Sequence, residues 1–241
     1  MKIIVLNSIN YREKDTIIDA ISEDKTVSFK VRNGQVPNSA HAWINNPLTV
    51  AEVEYVDNPR YTHKVLKGAS LIATPLHTSE YNELLSVNFA KELLTRMLPE
   101  EERYQLFDTL IAYIKVTSLC PNHLLPKLIL MAKAITLAGL KLEVDQCVFC
   151  GSKKDIVNFS FAEGGYICRK CMLEDFSIDL TPYQMKLIRA IFTRDISENL
   201  PEEEIRIEDK ETLLIKLTQY VKDAGGVILE SPKLILDNLR R

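Results

Sequence analysis

The sequence predicts an α+β protein in which a small β barrel is followed by a helical bundle and a four-cysteine hairpin. Residues 1–80 contain short apolar or alternating segments separated by turn signals, as in small antiparallel barrels. From residue 81 the apolar positions recur every three or four residues, which indicates amphipathic helices. Four of the five cysteines form two CxxC pairs. We therefore expect a barrel over 1–79, a helical domain over 80–146 and 180–241, and an inserted hairpin over 147–179.

The barrel prediction depends on four segments. The clearest runs over 25–32, where Val27, Phe29 and Val31 alternate with polar residues, so that one face is expected to be buried and the other exposed to solvent. Asn33-Gly34 follows as a turn signal. The other predicted strands are 3–6, 47–56 and about 64–73.

The helical prediction depends on periodicity and on caps. A helix is expected from the N-cap Ser79 to a stop at Pro99, and another after Thr181-Pro182, where an N-cap precedes a proline at the first helical position. The second of these spans 182–193, and the remaining predicted helices span 102–119, 123–140 and 210–223.

Composition and charge exclude several classes of protein. Hydrophobic residues make up 46% and charged residues 26% of the 241 residues, as in soluble globular chains. The stretch 124–142 is interrupted by polar residues, and residues 3–6 are too few for a signal-peptide core, so we expect no membrane span and a cytoplasmic protein. With 30 basic and 33 acidic residues spread evenly, any nucleic-acid binding requires a local basic patch.

The cysteine spacing is the strongest chemical signal. Cys147, Cys150, Cys168 and Cys171 form two CxxC pairs separated by 17 residues, with a predicted strand, turn and strand between them. A hairpin would bring the four thiolates together, and soft thiolates in a closed four-coordinate shell favour a structural Zn²⁺ ion. An iron–sulfur cluster and a redox pair are the alternatives. Cys120 lies outside the set and is interpreted as a small buried residue.

Signatures of enzymes are absent from the sequence. It contains no GxxxxGK[ST], GxGxxG, GxSxG or HExxH motif, and its four histidines are scattered. We expect no catalytic site. An enzyme built on a zinc ribbon, with a catalytic site that these motifs do not reveal, is therefore ranked below the non-enzymatic functions given below.

This order of parts, with several local motifs, resembles the RecO family of bacterial recombination mediators. The resemblance covers nearly the whole chain. Its marks are residues 11–15 (YREKD), 46–53 (NPLTVAEV), the CxxCG and CxxC pairs, 159–165, and the helix around Tyr220. The resemblance implies that the barrel is an OB fold and that the protein binds single-stranded DNA and anneals complementary strands. It also implies binding to the C-terminal tail of the single-stranded-DNA-binding protein, and recombinase loading together with RecR.

An OB barrel binds single strands with basic and aromatic side chains. The candidates in the barrel are Lys30 and Arg32 on the solvent-exposed face of one predicted strand and Trp43, the only tryptophan. Three further lysines are also candidates, namely Lys25, Lys64 and Lys67. A solvated strand face is the alternative for Lys30 and Arg32, and core packing is the alternative for Trp43.

The sequence departs from the family pattern after Arg32. Members commonly carry several lysines and arginines there, whereas this chain reads NGQVPNSAH over 33–41. The alternative function is therefore a protein-interaction adaptor of the repair machinery with little direct DNA affinity. For the acidic and apolar tail, a groove between helices rimmed by Lys127, Lys133 and Lys141 or by Lys186 and Arg189 is expected.

Overall fold

The first five strands of the chain close into a barrel. A computed structural model describes residues 1–57, 63–77, 80–197 and 204–240. Neighbouring strands pair in the order β1-β2-β3-β5-β4, and β4 pairs back to β1, which is the strand order of an OB barrel. All of these pairs are antiparallel except β3 with β5. The strands are β1 (Lys2–Tyr11), β2 (Asp15–Ile21), β3 (Thr26–Val31), β4 (Val50–Val56) and β5 (Lys64–Ala73).

The barrel core confirms the alternating pattern that the sequence shows over 25–32. Val27, Phe29 and Val31 are buried, and the residues between them are half-buried. The strand β2 is not among the predicted strands. It buries residues on both faces, Ile17 and Ile18 included, so its apolar residues do not alternate with polar ones.

A long loop between β3 and β4 is fastened to the barrel by Asn45. Its Oδ1 accepts hydrogen bonds from Ser8 (3.2 Å) and Thr16 (2.9 Å), and its Nδ2 donates to the Gly34 carbonyl (2.7 Å). A short 3₁₀ helix, Ala42–Asn45, lies in this loop and places Trp43 against the barrel core.

The chain forms two compact units, Met1–His123 and Leu124–Arg241. The first unit adds α1 (Tyr81–Met97), a 3₁₀ helix (Glu100–Leu106) and α2 (Phe107–Leu119) to the barrel. Tyr113 of α2 is fully buried, and its hydroxyl donates to the Ser86 carbonyl of α1 (2.8 Å). Ser79, the predicted N-cap of α1, lies outside the described residues.

The second unit contains the cysteine hairpin and the remaining helices. Its helices are α3 (Leu125–Leu137), α4 (Pro182–Thr193), α5 (Ile207–Gly225) and α6 (Ser231–Leu239), and its strands are β6 (Ile156–Ser160) and β7 (Gly165–Cys168). The predicted N-cap of α4 is confirmed, because Thr181 and Gln184 form a reciprocal capping box. The α+β class is also confirmed, whereas the division into three parts stays a prediction. Within the described ranges, every helix is too short or too polar to span a membrane.

Candidate metal centre and nucleic-acid surface

Four thiols converge at one end of the β6–β7 hairpin. The Sγ atoms of Cys147, Cys150, Cys168 and Cys171 all lie within 4.8 Å of one another. Cys147 and Cys168 are buried, Cys171 is half-buried and Cys150 is exposed. Cys120 is not part of this cluster.

Local backbone geometry brings the two pairs together. The Gly151 N–H donates to the Cys147 carbonyl (2.9 Å), and Gly151 has φ +71°, a conformation that glycine adopts without strain. The Cys171 N–H donates to the Cys168 carbonyl (3.0 Å) in the second turn. Pairing of Ile156 with Cys168 then carries the second CxxC turn to the end of the hairpin where the first one lies.

The donor set fits a tetrahedral metal ion. The Sγ atoms of Cys150 and Cys168 are 3.6 Å apart. A disulfide bond would require about 2 Å, whereas four Zn–S bonds of about 2.3 Å in a tetrahedron give S···S distances of about 3.8 Å. Burial raises the pKa of Cys147, but the N–H groups of Cys168, Cys150 and Phe149 outweigh it and lower this pKa to about 6. Cys147 therefore favours the thiolate, the form that binds metals, whereas the hydrogen bond with the Cys150 thiol, together with burial and the other two thiols, raises the pKa of Cys171 to about 12.

The predicted DNA-binding lysines of the barrel are mostly paired with acids. Lys30 forms an ion pair with Asp15 (2.8 Å), and Lys25 forms one with Asp24 (3.3 Å). Lys64 pairs with Asp57. Strands β3 and β5 place Lys30 beside Val65, and Arg32 and Lys67 each lie two residues beyond that pair. Lys25 precedes the other end of β3.

Arg32 and Lys67 are the predicted cations that remain unpaired. Both are exposed, and neither has a carboxylate partner in the part of the chain that the structure describes. Trp43 is half-buried against the barrel core, and its indole N–H donates to the Ala40 carbonyl (3.0 Å). The structure thus places Lys30, Lys64 and Lys67 on two neighbouring strands and Arg32 directly after the first of them, with Lys25 apart from this group.

Comparison with known proteins identifies the family. Residues 78–223 match the family model described as "Recombination protein O C terminal", which is more than half of the chain. The chain belongs to the RecO family. Two relatives are each named "DNA repair protein RecO": one from Halalkalibacterium halodurans is 23% identical over 96% of this chain and 92% of its own length, and one from Bacillus pumilus is 24% identical over 96% and 91%. A third, from Shouchella clausii, carries the same name and is 25% identical over 96% and 91%. Family membership supports a role in DNA repair and recombination.

Two tyrosines that sequence reasoning missed lie beside the barrel lysines of this RecO family member. Lys30 Nζ lies 5.4 Å from the Tyr11 ring centroid, and Lys64 Nζ lies 4.8 Å from that of Tyr55. Tyr11 opens the YREKD motif on which the resemblance rests, which could have marked it as a candidate. Tyr55 gave no such signal, because it alternates with glutamates as an ordinary strand residue does.

The predicted groove for the tail is only partly supported by exposure. Lys127 is buried at 1% exposure and cannot rim a groove. Lys133 pairs with Asp195 (2.8 Å), and Arg189 with Asp145 (2.9 Å). Lys141 and Lys186 are exposed.

Proposed function

We propose that this chain is a non-enzymatic mediator of recombination that acts in the cytoplasm. In this proposal it binds single-stranded DNA on the barrel, promotes annealing of complementary strands and helps to load recombinase with RecR. The observation that carries the proposal is a closed five-stranded barrel of OB order in a RecO family member, with exposed Arg32 directly after β3 and exposed Lys67 on the neighbouring strand β5.

Binding on the barrel would use cations and rings that already lie together. Arg32 and Lys67 would contact phosphates directly, since no acid competes for them within the described ranges. Lys30 would exchange Asp15 for a phosphate, and Tyr11 would offer a ring for base stacking. Because every exchanged ion pair costs part of the energy gained from the phosphate, we expect modest affinity and a shallow salt dependence.

Zinc is the metal that we propose for the four cysteines. Cys147, Cys150, Cys168 and Cys171 would hold it, and a shell of four protein ligands leaves no position for a substrate. When bound, the ion would supply a structural cross-link between the two CxxC turns. Iron–sulfur and redox chemistry are the alternatives that a metal analysis would detect.

The protein partners follow from the family resemblance. We propose that the acidic, apolar tail of the single-stranded-DNA-binding protein docks on the second unit, where Lys141 and Lys186 are exposed and could contact its carboxylates. RecR is proposed as the partner in recombinase loading.

Fluorescence anisotropy of a labelled oligothymidylate tests the proposal. The wild-type protein is titrated at low and moderate salt beside Lys30→Glu/Arg32→Glu. The control is Lys222→Glu/Lys233→Glu, which changes the net charge equally at two exposed helical lysines of the second unit. Salt-sensitive binding that only the barrel variant loses supports DNA binding on the barrel. Equal binding by all three proteins contradicts it.

A second candidate function is the adaptor without appreciable DNA affinity. It is favoured by the ion pairs of Lys25, Lys30 and Lys64 and by the absence of lysine and arginine from 33–41. No binding of wild-type protein even at low salt would select this candidate.

A further inference from the structure

The cysteine end of the β6–β7 hairpin carries four cations that the barrel proposal does not use. Lys153 and Lys154 follow the first CxxC pair, and Arg169 and Lys170 lie inside the second. All four are exposed, and none forms an ion pair with another described residue. In the barrel, by contrast, three of the four candidate lysines are paired.

Backbone hydrogen bonds join the two turns that carry these four cations. The Arg169 N–H donates to the Asp155 carbonyl (2.8 Å), which joins the second CxxC turn to the residue after Lys154. The loop leading to Asp155 is closed by the Cys147 N–H, which donates to the Ser152 carbonyl (2.9 Å). The cations therefore lie on two adjacent turns.

Two of the five acids in segment 147–179 lie away from the cysteine end. Glu163 lies in the opposite, β6–β7 turn, and Asp179 accepts a hydrogen bond from the Phe161 N–H beside it (2.8 Å). Asp155 lies among the cations, and Glu174 and Asp175 follow directly after Leu173. Three of the five acids thus lie in or next to the turns that carry the cations, but none of the three forms an ion pair with them among the described residues.

An exposed aromatic pair adjoins the cations. The rings of Phe149 and Phe176 are stacked, with centroids 5.6 Å apart and planes inclined by 5°. Phe149 is nevertheless 51% exposed. Phe176 thus covers part of one face of Phe149, and about half of the Phe149 side chain remains exposed to a further ring.

We infer that the cysteine end of the hairpin, defined by Lys153, Lys154, Arg169, Lys170 and Phe149, is a second binding surface for single-stranded nucleic acid. The four cations would bind successive phosphates, and a base would stack on Phe149, the combination that single-strand-binding grooves use. Unlike Lys25, Lys30 and Lys64 of the barrel, these cations need not break an ion pair with a carboxylate before they bind a phosphate. The inference rests on the proposed single-strand-binding function and adds a site to it.

The test uses the whole 241-residue chain, loaded with metal, and the same labelled oligothymidylate. One variant is Lys153→Gln/Lys154→Gln/Arg169→Gln/Lys170→Gln, and a second is Phe149→Leu, which keeps an apolar side chain but removes the ring. The matched control removes four other exposed cations of the same unit with the same charge change, Arg194→Gln/Lys222→Gln/Lys233→Gln/Arg240→Gln. Metal content is measured for every variant, so that loss of the hairpin fold is recognised.

We expect the hairpin charge variant to bind at least about tenfold more weakly at low salt, with a salt slope smaller by about 0.7 for each phosphate that it no longer binds. Phe149→Leu should weaken binding about fivefold and leave the salt slope unchanged, because stacking releases no counterions. The control should stay within about twofold of wild type.

Three outcomes would overturn the inference. If wild type binds and the hairpin variants match it, the inference is wrong while the proposed function stands. If the control loses as much affinity as the hairpin charge variant, only net charge matters. If the hairpin charge variant keeps DNA affinity but loses binding to labelled polyglutamate, the surface serves an acidic protein instead. Absence of binding by wild type itself would instead refute the proposed direct binding of DNA.

Discussion

Asp15 holds Lys30 in an ion pair that a phosphate ligand of Lys30 would have to break. Its carboxylate accepts from Lys30 Nζ (2.8 Å) and from the Asn33 N–H (3.0 Å). These hydrogen bonds, that of Lys30 foremost, lower the pKa of Asp15 below its usual 3.8. A lowered carboxyl pKa contributes stability that is complete above the ordinary value and is lost as the pH falls through the lowered one.

We expect Asp15→Asn to increase affinity for single-stranded DNA about two- to threefold at low salt, because Lys30 can then bind a phosphate without first breaking its ion pair with Asp15. The free energy of unfolding of the same variant should be lower by about 0.5–1 kcal/mol at pH 7, which is the usual contribution of a partly exposed ion pair. This difference should vanish in strong acid, where Asp15 is protonated in both states.

Anisotropy and urea unfolding at several pH values measure the two effects. Glu92→Gln, which removes an equal charge from an ion pair with Arg96 on α1, serves as the control. Unchanged affinity of Asp15→Asn beside a normal wild-type titration would mean that Lys30 does not contact DNA.

At the scale of elements, the hairpin depends on its four thiols. We expect Cys168→Ser to lose the metal and to lower the melting temperature strongly, since Cys168 is buried and ends β7. Cys120→Ser removes a cysteine outside the cluster and should retain about one zinc per chain. Metal analysis with thermal melting checks both, and a zinc-free wild type with fully reactive thiols would contradict the assignment.

The start of α4 depends on its capping box. The Thr181 hydroxyl accepts from the Gln184 N–H (3.3 Å), and the Gln184 side chain accepts from the Thr181 N–H (3.1 Å). Thr181→Ala should therefore cost about 1 kcal/mol in the free energy of unfolding, measured with urea. Thr181→Ser keeps the cap and should be nearly neutral, so equal losses in both variants would show that the hydroxyl contributes little.

Elements with a distinct local signal were predictable from the sequence. The alternation of β3, the N-cap of α4 and each CxxC pair can be recognised within a few consecutive residues. β2 was missed because both of its faces are buried, and α6 because nine residues give a short pattern. The ion pair of Lys30 with Asp15 depends on strand register, which local periodicity does not specify.

At the scale of the whole molecule, the proposed metal belongs to one of the two compact units. All four cysteines lie in Leu124–Arg241, whereas the barrel lies in Met1–His123. The hairpin packs within its own unit: the Tyr166 hydroxyl of β7 donates to the Met185 carbonyl of α4 (2.5 Å), and the Phe161 ring lies 5.7 Å from that of Tyr220 on α5. Loss of the metal should therefore loosen the packing of α4 and α5 against the hairpin.

The only tryptophan makes this consequence measurable, because Trp43 packs on the barrel core in the other unit. We expect a chelator to lower the melting temperature of the helices in the second unit, as followed by circular dichroism. The melting temperature followed by Trp43 emission should stay unchanged. Added zinc should restore the circular-dichroism midpoint. A Trp43 transition that moves by as much as the helical signal would show instead that the two units unfold together, so that the metal stabilises the barrel as well.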